Sequence, residues 1–244
     1  MAKGYLASSS ASSMSGLSKR TRQILFVCVI LTLAVFFLPF GRIVGYPLIL
    51  VSTFAHEMGH GLTALIMGAN FASFQMWSDG SGVANIEGQG SAIGSALTAA
   101  GGLVGPSVFA ALSFVAAKKA AISRIFLSLV GVGMIVAEFL YVRNMFAWVF
   151  VGVLAAIFLW LAQQSRAWLA QAFLVFLGIE LSLSVFSRSD YLFTETAVTS
   201  QGIMPSDVAV IAQALILPYW FWGAACGVFS IIVLLLGLWS YLRK

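Results

Sequence analysis

Apolar runs recur along the chain at a length that a bilayer dictates. They fall near residues 24–40, 44–68, 92–117, 122–142, 146–162, 167–186 and 215–241. Each is close to the roughly 20 residues that a helix needs to cross the hydrocarbon core. The pattern predicts an all-α polytopic membrane protein with about seven transmembrane helices. The connections are short and no internal repeat is visible, so residues 24–244 read as a single integral membrane domain. Residues 1–23 are rich in Ser and carry Lys3, Lys19, Arg20 and Arg22, and read as a disordered polar tail. The run after the tail is long for a signal-peptide core and no small-x-small site follows it, so it reads as the first span.

Two polar stretches interrupt the pattern. Residues 71–91 contain the turn signal Ser78-Asp79-Gly80-Ser81 between two strand-like pieces, Phe71 to Trp77 and Gly82 to Ile86. An isolated hairpin is only marginally stable in water, so this one is expected to pack on the helices or at the membrane boundary. Residues 187–213 hold Arg188, Asp190, Glu195, Pro205 and Asp207, and read as a loop followed by a short amphipathic helix.

Composition sharpens the class. Of the 244 residues, 61% are hydrophobic and only 9% are charged. Soluble domains carry about 25% charged residues, and the low fraction here cannot coat a water-soluble globule. The net charge of +5 comes from scattered basic residues with no continuous stripe, which argues against nucleic acid as a partner. The partner implied is the lipid bilayer. Basic residues divide almost evenly between the two sides, and the tail charges before the first span weakly favour a cytoplasmic N-terminus. A multi-pass protein of the plasma or inner membrane is expected. The pattern specifies no oligomeric state. Cys28 and Cys226 each lie inside an apolar run and read as small buried residues, neither a disulfide nor a metal cluster.

One motif carries chemistry. His56-Glu57-Met58-Gly59-His60 is an H-E-x-x-H sequence inside an apolar helical segment, and its histidines are the only two in the chain. Four residues turn a helix by about 400°, so both imidazoles lie on one face, one turn apart. That spacing suits two nitrogen ligands on one Zn2+ ion. Glu57 lies about 100° round the helix, where it can take a proton from water and pass it to a leaving amine. Zinc lowers the pKa of water towards about 7 and polarises a carbonyl. Two core histidines at this spacing are the simpler explanation, but an ionised Glu at this depth costs about 2.5–3.5 kcal/mol and a purely structural segment gains nothing from it.

Small residues surround the motif. Gly61, Ala64 and Gly68 form a stripe after His60, and Gly94, Ala99, Gly101, Gly102 and Gly105-Pro106 lie on the next apolar segment. Such faces let two helices approach closely, which is ordinary membrane packing and also a means of holding a metal helix rigid.

The run from His56 to Gly61, then Leu65-Ile66-Met67-Gly68, the Gly-rich hairpin and Ala100-Gly101-Gly102-Leu103-Val104-Gly105-Pro106 resembles the M50 family of intramembrane zinc metalloproteases. The likeness is to its M50B-like branch, with the site-2 proteases as characterised relatives. It covers about residues 45–110 and continues weakly through Tyr141-Val142-Arg143-Asn144 and Ser206-Asp207. It implies His56 and His60 as zinc ligands, Glu57 as catalytic base, and a membrane-protein substrate cut in or near its transmembrane segments.

The third ligand departs from the family pattern. Site-2 proteases supply an Asp from an N-P-x-P-x-L-D-G type motif, which this sequence lacks. Its candidates are Asp190 first, Asp207 as the alternative and Glu180 third. Glu138 and Glu180 lie within apolar helices, where acids are functional candidates by default. Asp207 after Pro205-Ser206 also suits a helix N-cap. The sequence thus favours an intramembrane zinc metalloendopeptidase. The competing class is a non-enzymatic polytopic protein, a metal-binding scaffold or transporter with a relic H-E-x-x-H site. A transporter would more naturally show paired, broken helices in repeated halves.

Overall fold

The computed structural model describes residues 21–34, 41–187, 192–200 and 202–243. Eight helices and four short strands follow in chain order: α1 (Thr21–Ala34), α2 (Gly41–Ile66), β1 (Asn70–Met76), β2 (Gly82–Glu87), α3 (Ala92–Ala116), α4 (Ala120–Tyr141), α5 (Met145–Gln163), α6 (Ala167–Ser187), β3 (Thr196–Thr199), β4 (Gly202–Pro205), α7 (Asp207–Ala214) and α8 (Tyr219–Leu242). The tail expected over 1–23 lies outside the described residues up to position 20, and α1 takes up its last three positions.

Among the described residues, five helices are long and apolar enough to cross a membrane, namely α3, α4, α5, α6 from Trp168 to Val185, and α8. The chain is a multi-pass membrane protein. Two of the seven expected segments fall outside that set. The described part of α1 is short. α2 has the length, at 26 residues, but Ser52, Thr53, His56, Glu57 and His60 dilute its apolar character.

α3 is the central helix and packs against α2, α6, α7 and α8. Its sequence makes this possible, because Ala96, Ala99, Gly101, Gly102, Ala110 and Ala111 present almost no bulk and are all buried. A larger core joins α2 and α3 to α4, α5, α6 and β1. A second, smaller one is built from Ala96, Ala99 and Leu103 of α3, Val208 and Ile211 of α7, and Cys226 of α8. Cys28 and Cys226 are free and buried, as expected.

α2 ends in a Schellman turn. Gly68 takes a φ of 79°, which a side chain resists, while Ala69 N–H donates to the carbonyl of Ala64 at 2.9 Å. The chain reverses there into the expected hairpin. β1 and β2 pair antiparallel, with Phe74 opposite Ala84 and a register shift between Phe71 and Ser73. Phe71, Phe74 and Met76 of β1 are buried against the helices.

The outer edge of β1 is closed. Arg143 N–H donates to the carbonyl of Phe74 at 3.0 Å. The Asn144 side chain accepts from Met76 N–H at 3.2 Å and donates to the Met76 carbonyl at 2.6 Å. The other backbone edge of the hairpin, on β2, faces α2 and the cavity beside it. The stretch read as a loop before a short helix holds a second hairpin, β3–β4, with Thr199 opposite Gly202. Its strands are four residues each, too short for period-2 alternation to stand out.

Candidate metal centre

The H-E-x-x-H motif lies in the middle of α2. The two imidazoles stack edge to face, with ring centroids 4.7 Å apart and their Nε2 atoms 3.2 Å apart. His60 Nδ1 lies 2.8 Å from the carbonyl oxygen of Thr98 on α3.

Asp207 completes the cluster. Its Oδ2 is 3.1 Å from His56 Nε2 and its Oδ1 is 3.3 Å from His60 Nε2. The first turn of α7 brings it there. Ser206 is the N-cap, its Oγ accepting from Ala209 N–H at 3.3 Å and donating to the Thr194 carbonyl at 2.5 Å. The expected N-cap role of Asp207 is therefore corrected by one residue. The shorter Ser206 hydroxyl takes the cap, and the carboxylate turns to the histidines. Burial alone would raise the Asp207 pKa, but His60 and His56 beside it hold the carboxyl below its usual range.

These donors fit a metal. Asp207 Oδ2 is buried and faces His56 Nε2 at 3.1 Å without a well-directed hydrogen bond to it or to any other described residue. Tetrahedral zinc with bonds of about 2.0–2.1 Å holds neighbouring donors about 3.3 Å apart. The two Nε2 atoms, 3.2 Å apart, match that edge, and a carboxylate oxygen of Asp207 lies beside each of them, Oδ2 at 3.1 Å from His56 and Oδ1 at 3.3 Å from His60. Among the described residues, His56, His60 and Asp207 form the one His/Cys/Asp/Glu group able to hold a metal ion.

The other acids do other things. Glu180 accepts a hydrogen bond from Thr32 of α1 at 2.5 Å. Glu138 is buried in α4, beside the α-carbon of Gly152 on α5. Asp190, the first-ranked third ligand, lies outside the described residues.

Glu57 is 7% exposed, and its Oε2 accepts from Ala84 N–H of β2 at 2.7 Å. Together with His56 it lines a cavity of about 360 Å3. Ser52, Ser184 and Ser230 give that cavity polar walls, and the tips of both hairpins cover it at Asp79–Gly82 and Ala197–Thr199. The hairpin tips touch: Ser200 Oγ donates to Asp79 Oδ2 at 2.6 Å.

Close helix packing holds the centre. A methyl group at Gly102 of α3 would meet the His60 imidazole, and one at Gly59 of α2 would meet the carbonyl of Gly101. One at Gly105 would come within 2.9 Å of the Ala55 carbonyl. The α3 glycines act as expected. The α2 stripe does not, because Gly61 faces the Phe71 ring and Gly68 ends the helix, so Gly59 inside the motif makes the crossing. Thr53, Thr98 and Asn144 shape the site without having stood out as candidates. The sequence signal for the first was its position one turn ahead of Glu57.

Fold and site together define a multi-pass helical membrane protein with a half-buried His–His–Asp cluster beside a buried glutamate. The chain belongs to the Peptidase M50B-like family, which matches it over residues 23–237. No curated protein and no solved structure gives a match to this chain.

Proposed function

We propose that this protein is a zinc-dependent intramembrane endopeptidase that cuts membrane-protein substrates in or near their transmembrane segments. The carrying observation is the convergence of His56, His60 and Asp207, with His56 and Glu57 of the same motif opening on a polar-walled cavity. Membership of the M50B-like family supports the same reading. His56 and His60 would hold the ion through Nε2 and Asp207 through a carboxylate oxygen, with Asp207 now preferred over Asp190. Zinc, when bound, supplies Lewis acidity towards water and the scissile carbonyl.

The chain's own groups do the rest. Glu57 takes one proton from the attacking water and delivers it to the departing amide nitrogen. The water oxygen adds to the carbonyl carbon as the C–N bond breaks, leaving a carboxylic acid and an amine. The serines of the cavity admit water to a site inside an apolar bundle. The hairpin tips at the rim of the cavity, Asp79–Gly82 and Ala197–Thr199, offer backbone groups to an unwound substrate segment. The plasma or inner membrane is the proposed setting.

The test is a paired measurement of zinc content and cleavage in detergent-purified wild type and Glu57→Gln. Glutamine keeps the size but cannot take the proton, so zinc should be retained while cleavage falls about 10²–10⁴-fold. Wild type that binds zinc and cuts no membrane-protein segment would instead be a metal-binding scaffold.

A further inference from the structure

Glu57 does not reach into the cavity unaided. Its carboxylate is held by a strand. Ala84 N–H donates to Glu57 Oε2 at 2.7 Å. This amide is not borrowed from the β ladder, because the residue opposite, Phe74, gives its carbonyl to Arg143 N–H on the other edge. Ala84 therefore presents its donor to α2 without weakening the hairpin.

The strand itself is pinned to the helix. Thr53 lies one turn ahead of Glu57, is 2% exposed, and donates through Oγ1 to the Gly80 carbonyl at 2.7 Å. Two turns further back, Tyr46 donates its hydroxyl to the Ser78 carbonyl at 2.7 Å. Between these points β2 lies directly on α2. A Cβ at Gly82 would come within 2.7 Å of Thr53 Cγ2 and 2.9 Å of Glu57 Cγ. Tyr46, Thr53 and Glu57 thus line one face of α2 and hold the hairpin at three points, Ser78, Gly80 and Ala84.

We infer that β2 is a positioning strand for the catalytic base: the Ala84 amide fixes one carboxylate oxygen of Glu57, and Thr53 sets the height of β2 on α2. A glutamate has three side-chain torsions, and burying it against a fixed donor removes the freedom that would blur a proton transfer. The second oxygen, Oε1, is left to receive the proton. Thr53 is a positioning residue, acting through Gly80 and β2. The inference rests on the protease reading for its kinetic consequence, whereas the hydrogen bond itself can be tested without it.

The experiment has two arms on the zinc-loaded full chain in detergent. In the kinetic arm, Thr53→Val removes the hydroxyl and keeps the shape. It should lower kcat about tenfold or more with unchanged KM and full zinc, and Thr53→Ser should restore most of the loss. Ala84→Pro deletes the donor and sets the ring's Cδ against Glu57 Oε2, so it should lower kcat at least as far. In the structural arm, hydrogen exchange of residues 82–87 is read by mass spectrometry. It should speed up in Glu57→Ala and in Thr53→Val. Unchanged exchange in Glu57→Ala would overturn the inference, because the amide would not depend on the carboxylate. Faster exchange with an unaltered kcat in Thr53→Val and Ala84→Pro would overturn it too, while leaving the protease reading intact. Wild type without cleavage would defeat the protease reading and leave the exchange arm to decide whether Ala84 holds Glu57.

Discussion

His60 Nδ1 lies 2.8 Å from the carbonyl oxygen of Thr98. A carbonyl only accepts, so the ring proton belongs on Nδ1 and the Nε2 lone pair faces His56 and Asp207. One backbone group of α3 thus selects the tautomer a metal needs. The expected consequence is about one zinc per chain in wild type. His60→Ala and Asp207→Asn should each weaken zinc binding by tenfold or more, measured by chelator competition. Unchanged affinity in Asp207→Asn would return the third-ligand assignment to Asp190.

The α2–α3 crossing leaves no space for a methyl group at Gly102, where it would strike the His60 ring. Gly102→Ala should cost about 1–3 kcal/mol of stability and displace the imidazole. Thermal unfolding and zinc content, measured on the same preparation, should both fall. Full zinc in this variant would show that the helices can separate without disturbing the centre.

Asn144 serves both backbone groups of Met76, a residue with no exposed surface. Asn144→Ala leaves a buried N–H and a buried C=O without partners, at about 1–3 kcal/mol each. A clear drop in melting temperature is expected, with the β1–β2 segment exchanging faster. A variant as stable as wild type would mean that water replaces the amide and that the β1 edge is not sealed.

The Asp79 carboxyl is held below the usual carboxylate range by the Ser200 hydroxyl, then by the Ser81 hydroxyl and the Ser81 backbone N–H. A lowered pKa means that the tie between the hairpin tips is fully present above the ordinary value of about 3.9 and is lost as pH falls through the lowered one. Spin labels at Ser78 and Glu195 should report a narrow distance at neutral pH and at about pH 5, and a broad one only in stronger acid. In Asp79→Ala the distance should be broad throughout. A narrow distance in that variant would assign the tie to Ser81 and Ser200 alone.

The helical frame and half of the centre could be read from the chain. Apolar length foretold α3 to α6 and α8 to within a few residues, because spanning a bilayer is a local demand on composition. The i,i+4 histidines needed only helix geometry. The Ser78–Ser81 turn announced the first hairpin, since Gly80 adopts a φ of 87°. What escaped notice is what depends on distant parts of the chain. Asp207 reads by sequence as a cap and as a ligand second to Asp190, and only the packing of α7 on α3 and α8 turns it to the histidines. Gly59 is hidden inside the motif as an unspecified position. Thr98 acts through its carbonyl, which any residue possesses. Asn144 stands out only as the end of the weakly family-like Tyr141-Val142-Arg143-Asn144, and its role emerges once the edge of β1 is seen beside it.

Asp207 also gives the centre a mechanical meaning. Its donors stand at the two ends of a long stretch of chain that includes α3, α4, α5 and α6, so an ion held by all three would act as a cross-link closing that loop. A cross-link removes chain entropy from the unfolded ensemble, by an amount that grows slowly with loop length. α7 is only eight residues long and is anchored by Val208, Ala209 and Ile211. Zinc would therefore fasten the last part of the bundle to the first, and its removal should lower the melting temperature of the whole protein even in Glu57→Gln, where no catalysis is at stake.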